Sequence, residues 1–164
     1  MSSNLGTHDA RWRFQSSRMK QDLPLKLWVV LARAFDSVER HSRASIARFR
    51  LGTTEFGVLE ALYHVGELPV CEVQQRILVE SGSTTYVVDK LCERGLVRRR
   101  PSGKDRRITL LSLTPAGRRL IVKIFPLHAA AMRQAVAALG PREQAGAVRL
   151  LRALGKGAAA RLDS

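Results

Sequence analysis

From Ser81 to Thr114 the chain reads SGSTTYVVDKLCERGLVRRRPSGKDRRITLLSLT, an order of patterns that few folds accommodate. Ser81 offers a capping hydroxyl and Gly95 stops a helix about four turns later. Thr84, Val87, Val88 and Leu91 fall at i, i+3, i+4 and i+7, one buried stripe on that helix. The opposite side carries Ser83, Tyr86, Asp89, Lys90 and Glu93, and near its start it is polar and short-chained, as entry into a DNA major groove requires. Leu96 to Arg100 and Ile108 to Leu113 are β-prone runs flanking Pro101-Ser102-Gly103-Lys104-Asp105, where proline and glycine favour a reversal. Arg98, Arg99, Arg100, Lys104, Arg106 and Arg107 crowd that reversal, with Asp105 the one acid among them. A helix followed at once by a cationic hairpin is the pattern of a winged helix-turn-helix, mainly α with a small β wing.

The charge balance points the same way. Lys+Arg number 28 against 14 Asp+Glu, a formal charge of +14, and such an excess favours a polyanion, either nucleic acid or an anionic membrane surface. No continuous apolar run is long enough to span a bilayer, and Met1 to Lys20 has no apolar signal core, so a cytoplasmic location and no membrane partner are expected. Cys71 and Cys92 form no disulfide framework and no CxxC pair, and four scattered histidines give no metal centre. No nucleophile–base pair, paired-carboxylate motif or glycine-rich phosphate loop appears, so neither an enzyme nor a cofactor is expected. A wing used only for protein contacts is the rival reading, though such a wing needs no cluster of cations.

With 164 residues the chain suggests one domain with appended helices. Residues 1–21 show no clear period and form an arm. Asp22-Leu23-Pro24 starts a helix, with Leu23, Leu27, Val30, Leu31, Ala34 and Val38 at helical spacing, continuing to about Phe49 within a segment 22–50. Three short helices between 53 and 94 form the frame of a helix-turn-helix, inside a domain 51–114 that includes the wing. In 115–164, Thr114-Pro115 caps a helix that Pro126 is expected to kink or break, and Gly140-Pro141 starts the last one. These outer helices are more apolar than the small winged core can cover, which suggests packing on a second copy of the chain.

The chain resembles the MarR family of transcriptional regulators. The resemblance is carried by Thr54-Glu55-Phe56-Gly57-Val58-Leu59, Leu68-Pro69-Val70-Cys71-Glu72-Val73, the Ser81–Leu91 helix, Arg94-Gly95-Leu96-Val97, Asp105-Arg106-Arg107 and Leu113-Thr114-Pro115-Ala116-Gly117, and it extends from about Leu23 to Leu154. The Ser81–Leu91 segment, with Phe125-Pro126, is also similar to a branch that represses genes detoxifying quinones and catechol-like aromatics. The resemblance implies a homodimer, held by the N- and C-terminal helices, on a pseudo-palindrome of double-stranded DNA, with repression the family habit. It places Ser81, Gly82, Ser83, Thr85, Tyr86 and Lys90 at the major groove or its flanking phosphates. Tyr86 stands where an arginine is common in the family. Of the wing residues, Arg106 is expected in the minor groove, Asp105 orienting an arginine of the tip, and Arg98, Arg99 and Lys104 on phosphates, with Arg107 beside them.

The family's effector cleft maps onto Trp28, Phe35, Phe49, Phe56, Tyr63 and His64, where a phenolic or quinone ligand would fit; ordinary core aromatics are the alternative. Cys71, near a helix N-terminus, is the candidate for a cysteine-based redox switch, opposed by the neighbouring Glu72. The family's peroxide sensors keep a reactive cysteine on the first helix, and this chain has none there.

Overall fold

The computed structural model describes residues 22–77, 81–103, 105 and 107–162, and of residues 81–84 the backbone alone. Helix α1 (Leu23–Ala47) begins where the sequence places it, with the Asp22 carboxylate accepting the Leu25 amide at 3.3 Å. It ends two residues before the expected Phe49, in a turn where Arg50 takes a positive φ of 54°. The chain divides into two compact units between Arg40 and His41, so α1 belongs to both. In the second unit follow α2 (Thr53–Val65), β1 (Leu68–Pro69), α3 (Val70–Ile77), α4 (Ser81–Glu93), β2 (Val97–Pro101), β3 (Thr109–Leu113), α5 (Pro115–Ala135) and α6 (Pro141–Leu162).

Helix α3 has eight residues and cannot persist alone in water. It is held because Val73 joins a core shared by Phe56, Val58, Leu59 and Leu62 of α2, Val87, Val88 and Leu91 of α4, and Ile121 and Ile124 of α5. Each fully buried side chain of this size contributes about 2 kcal/mol. Val87, Val88 and Leu91 of the stripe read from the sequence therefore turn inward as expected, and their burial orients α4.

The hairpin is antiparallel, with Val97 opposite Leu113, Arg99 opposite Leu111 and Pro101 opposite Thr109. A third strand was not expected: β1 pairs with β3, Leu68 opposite Leu111, giving the sheet order β1-β3-β2. Both leucines of that pair are buried, so two residues of strand suffice to seat the hairpin on the helices.

Gly95 closes α4 with φ 65°; its amide donates to the Cys92 carbonyl and the Leu96 amide to the Leu91 carbonyl, both at 2.9 Å. This is the glycine-dependent cap that satisfies the last carbonyls of a helix. The next joint is built on the same backbone. The Thr114 hydroxyl donates to the Gly95 carbonyl at 2.6 Å and accepts the Gly117 amide at 3.0 Å, while the Thr114 amide donates to the Leu96 carbonyl at 3.0 Å.

Pro126 does not break α5, one of the two outcomes expected of it; the helix runs unbroken from Pro115 to Ala135. Ile121, Ile124 and Phe125 before it, and His128 after it, pack against the domain and outweigh the local cost. The carbonyl deprived of its donor belongs to Val122, on the exposed side. Helix α6 buries none of its 22 residues. Among the described residues, no helix is long and apolar enough to cross a membrane, and no cluster of side chains could hold a metal ion.

The His128 ring packs on that of Phe56 at a centroid distance of 4.4 Å, tilted by 48°, and its Nδ1 is 2.9 Å from the Ser45 hydroxyl. That hydroxyl donates to the Ser42 carbonyl at 2.6 Å, leaving Nδ1–H as the donor to it. Burial pushes the His128 pKa below the ordinary 6.5, with the Glu60 charge opposing. A folded-state pKa below the unfolded one gives stability that is complete above pH 6.5 and lost as pH falls through the folded value. Thermal stability is thus expected to decline below about pH 6.5, and the decline to flatten in His128→Gln. Parallel melting profiles for the two proteins between pH 5 and 8 would contradict this.

Candidate nucleic-acid interface

Burial of Val87, Val88 and Leu91 forces the other side of α4 outward. Thr85, Tyr86 and Lys90 are exposed there, Tyr86 by 69%, large for an aromatic ring and therefore available to a partner. Ser81, Gly82 and Ser83, expected at the groove, lie at the start of α4, where their side chains fall outside the described residues.

The wing rises beside this helix. Val97 at the base of β2 is buried, whereas Arg98 to Pro101 are exposed. Arg98 donates from Nε to the Ser112 hydroxyl across the hairpin at 3.0 Å, leaving the rest of its guanidinium outward. Arg99, expected on a phosphate, forms an ion pair with Asp89 of α4. Arg100 grips the Glu67 carboxylate with two nitrogens, Nε at 2.6 Å from Oε1, and this partner holds its pKa above the ordinary arginine value. Exposed pairs of this kind add little stability, but they decide geometry: Arg99–Asp89 fixes the wing against the helix, and Arg100–Glu67 fixes it against the strand below. Neither pairing follows from sequence neighbours, since the fold brings both acids within reach of the arginines.

At the tip, the Asp105 carboxylate accepts the Arg107 amide at 2.9 Å, and the Asp105 carbonyl accepts the Ile108 amide at 3.0 Å. Asp105 was expected to orient an arginine side chain; among the described residues its carboxylate holds the Arg107 backbone amide. Lys104 and Arg106 lie outside the described residues. Asp105→Ala is expected to weaken duplex binding by about 1 kcal/mol, roughly fivefold, although it removes a negative charge. Tighter binding in a direct titration would remove this role from Asp105.

The far end of α4 carries a feature that sequence reading missed. Glu55, only 5% exposed, takes the Gly52 amide on Oε2 at 2.6 Å. Its Oε1 faces Arg94 at 3.1 Å and Lys90 at 3.4 Å. Burial alone would raise its pKa; the Gly52 hydrogen bond and the Lys90 and Arg94 charges outweigh burial and hold the carboxyl below its ordinary 4.5. The one sequence signal was a glutamate three residues after Gly52, at the third position of a helix start.

The six aromatic positions expected to line an effector cleft are not equivalent. Trp28 and Phe35 are 66% and 67% exposed, in the first unit. In the second unit Phe56 is buried, Phe49 and Tyr63 pack against the core, and Tyr63, His64 and Phe125 form a cluster of rings 4.8 to 6.1 Å apart. His64 also borders an open cleft of about 450 Å³ with Gly57, Glu60 and Arg76. A second cleft, of about 600 Å³, separates Val70, Cys71 and Gln74 of α3 from Thr85 and from Arg107 to Thr109 of the wing. Cys71 is exposed there, whereas burial, with help from Asp89 and against Arg99, raises the pKa of the Cys92 thiol and keeps it protonated.

Comparison with known proteins bears on this surface. Residues 51–108, which hold the elements from α2 to β2 and the turn of the wing, match the model of the MarR family. The HTH-type transcriptional regulator MhqR of Bacillus subtilis is 41% identical over 131 residues, 80% of this chain and 90% of that protein. A mutant MarR of E. coli, solved with operator DNA, superposes with a TM-score of 0.73 at 21% identity, over 82% of this chain and 99% of that one. BpsR of Bordetella bronchiseptica, whose DNA binding is regulated by 6-hydroxynicotinic acid, gives a TM-score of 0.73 at 25% identity, over 82% and 94%.

Proposed function

The chain belongs to the MarR family of DNA-binding transcriptional regulators, and on that premise we propose that it is a cytoplasmic repressor. It binds a pseudo-palindromic promoter site as a homodimer and leaves it when a small aromatic ligand, a phenol or quinone, binds the protein. The observation that carries the DNA reading is the exposed face of α4 around Tyr86, joined through Asp89 and Arg99 to a wing of exposed cations. Phosphates then supply affinity through Arg98, Lys104 and Arg107, and base contacts from α4 supply sequence choice.

Two helices support the dimer. In α1, Leu23, Leu27, Trp28 and Phe35 are exposed, and in α6 so are Val148, Leu150, Leu151 and Leu154. Helices so apolar and so bare are unusual for a monomer, and a second copy is the simplest cover. The ligand reading is supported by BpsR, a relative in fold whose regulator is a hydroxylated aromatic acid, and by the Tyr63–His64–Phe125 ring cluster. A cysteine-based switch is the second reading, favoured by the exposure of Cys71 at the edge of the cleft beside Thr85 and Arg107; full inducer response in Cys71→Ser would remove it.

Sedimentation of the protein alone and with its own upstream duplex tests the assembly. Two chains per duplex, dissociating on addition of a phenol or quinone, are expected. A monomer at micromolar concentration, or a complex indifferent to every such compound, would overturn the corresponding half of the proposal.

A further inference from the structure

We infer that Glu55 is a positioning residue for sequence discrimination: by holding Lys90 and Arg94 it fixes the angle at which α4 is presented to DNA. The inference rests on the operator-binding reading given above. Glu55 is buried, so it cannot touch DNA itself. As a helix cap it needs only its bond to Gly52, which a glutamine supplies equally well. Its second oxygen is spent on two cations at the far end of α4, Lys90 on the helix and Arg94 in the turn just after it, 39 residues away in sequence. Arg94 in turn donates to the Arg50 carbonyl at 3.0 Å, in the turn that ends α1 and where Arg50 holds its left-handed backbone. The C-terminal end of α4 is therefore pinned at one point to the end of α1 and the start of α2.

The consequence follows from lever geometry. A helix of 13 residues is about 20 Å long. A tilt of about 5° at the pinned end moves side chains at the other end by nearly 2 Å, more than a hydrogen bond tolerates. Base contacts are lost by such a tilt, whereas long cationic side chains still reach phosphates. Loss of the Glu55 charge also unpairs two cations beside the interface, which favours any duplex.

The test compares the full chain with Glu55→Gln by fluorescence anisotropy on its own upstream DNA and on a shuffled duplex. For the variant, affinity for upstream DNA is expected to fall about tenfold, while shuffled-duplex affinity stays the same or rises. The ratio of the two is the readout, because partial unfolding lowers both affinities together and leaves it unchanged. Arg94→Gln is expected to lower the ratio as well, and the double variant to be no worse than the more affected single one. A ratio retained in Glu55→Gln while the wild type discriminates overturns this inference alone. A wild type that does not discriminate overturns it together with the operator reading.

Discussion

Replacing Gly117 by alanine is expected to lower stability by about 3 kcal/mol, which for a chain of this size is roughly a 10 °C loss in Tm. The helix backbone at Gly117 lies against the base of the hairpin, and a Cβ there would stand 2.0 Å from the Leu96 carbonyl oxygen and 2.9 Å from its carbon. Backbone atoms cannot swing aside as a side-chain tip can. The start of α5 must back away, and with it go the Thr114 bonds to Gly95 and Leu96. The contrast is Gly155, exposed in α6 with nothing within 4 Å of an added Cβ; alanine there is expected to stabilise by up to about 1 kcal/mol. Melting of both variants checks the pair, and a Gly117→Ala protein within about 2 °C of wild type would refute the close-packing account.

The second large effect is on recognition. Tyr86→Ala is expected to weaken binding to the cognate duplex by about 1–3 kcal/mol, roughly five- to 150-fold, and to relax sequence preference. Its exposure of 69% means little is lost from the fold, so the melting temperature should not move. The dependence of binding on salt should also persist, since no phosphate partner is removed. Arg98→Ala is the complement: a more uniform loss across sequences, with the salt slope reduced by about one. Equal cognate affinity in Tyr86→Ala and wild type would take Tyr86 out of the interface.

What could be read in advance was what local chemistry decides. The stripe of Val87, Val88 and Leu91, the stop at Gly95, the cap at Thr114 and the turn between β2 and β3 each follow from neighbours within a few residues. What escaped depends on distance. The strand Leu68–Pro69 is too short to show a period and exists because Leu111 is there to pair with it. Pro126 stays helical because packing on both sides outweighs one missing amide. Arg99 and Arg100 look like free cations until Asp89 and Glu67 are brought to them, and Glu55 looks like an ordinary helix-start acid until Lys90 of α4 and Arg94 of the turn after it arrive. The composition showed how much positive charge the chain carries; the fold shows which of it is already engaged.

Fluorescence anisotropy of the wild-type chain on its own upstream DNA and on a shuffled duplex, across a salt series at fixed pH, tests the central claim most directly. Preference for the upstream sequence by about a thousandfold or more, with both affinities falling steeply as salt rises, is the predicted result. Weak and equal binding to the two duplexes would contradict it and leave the basic wing beside α4 as a surface without a reader's function.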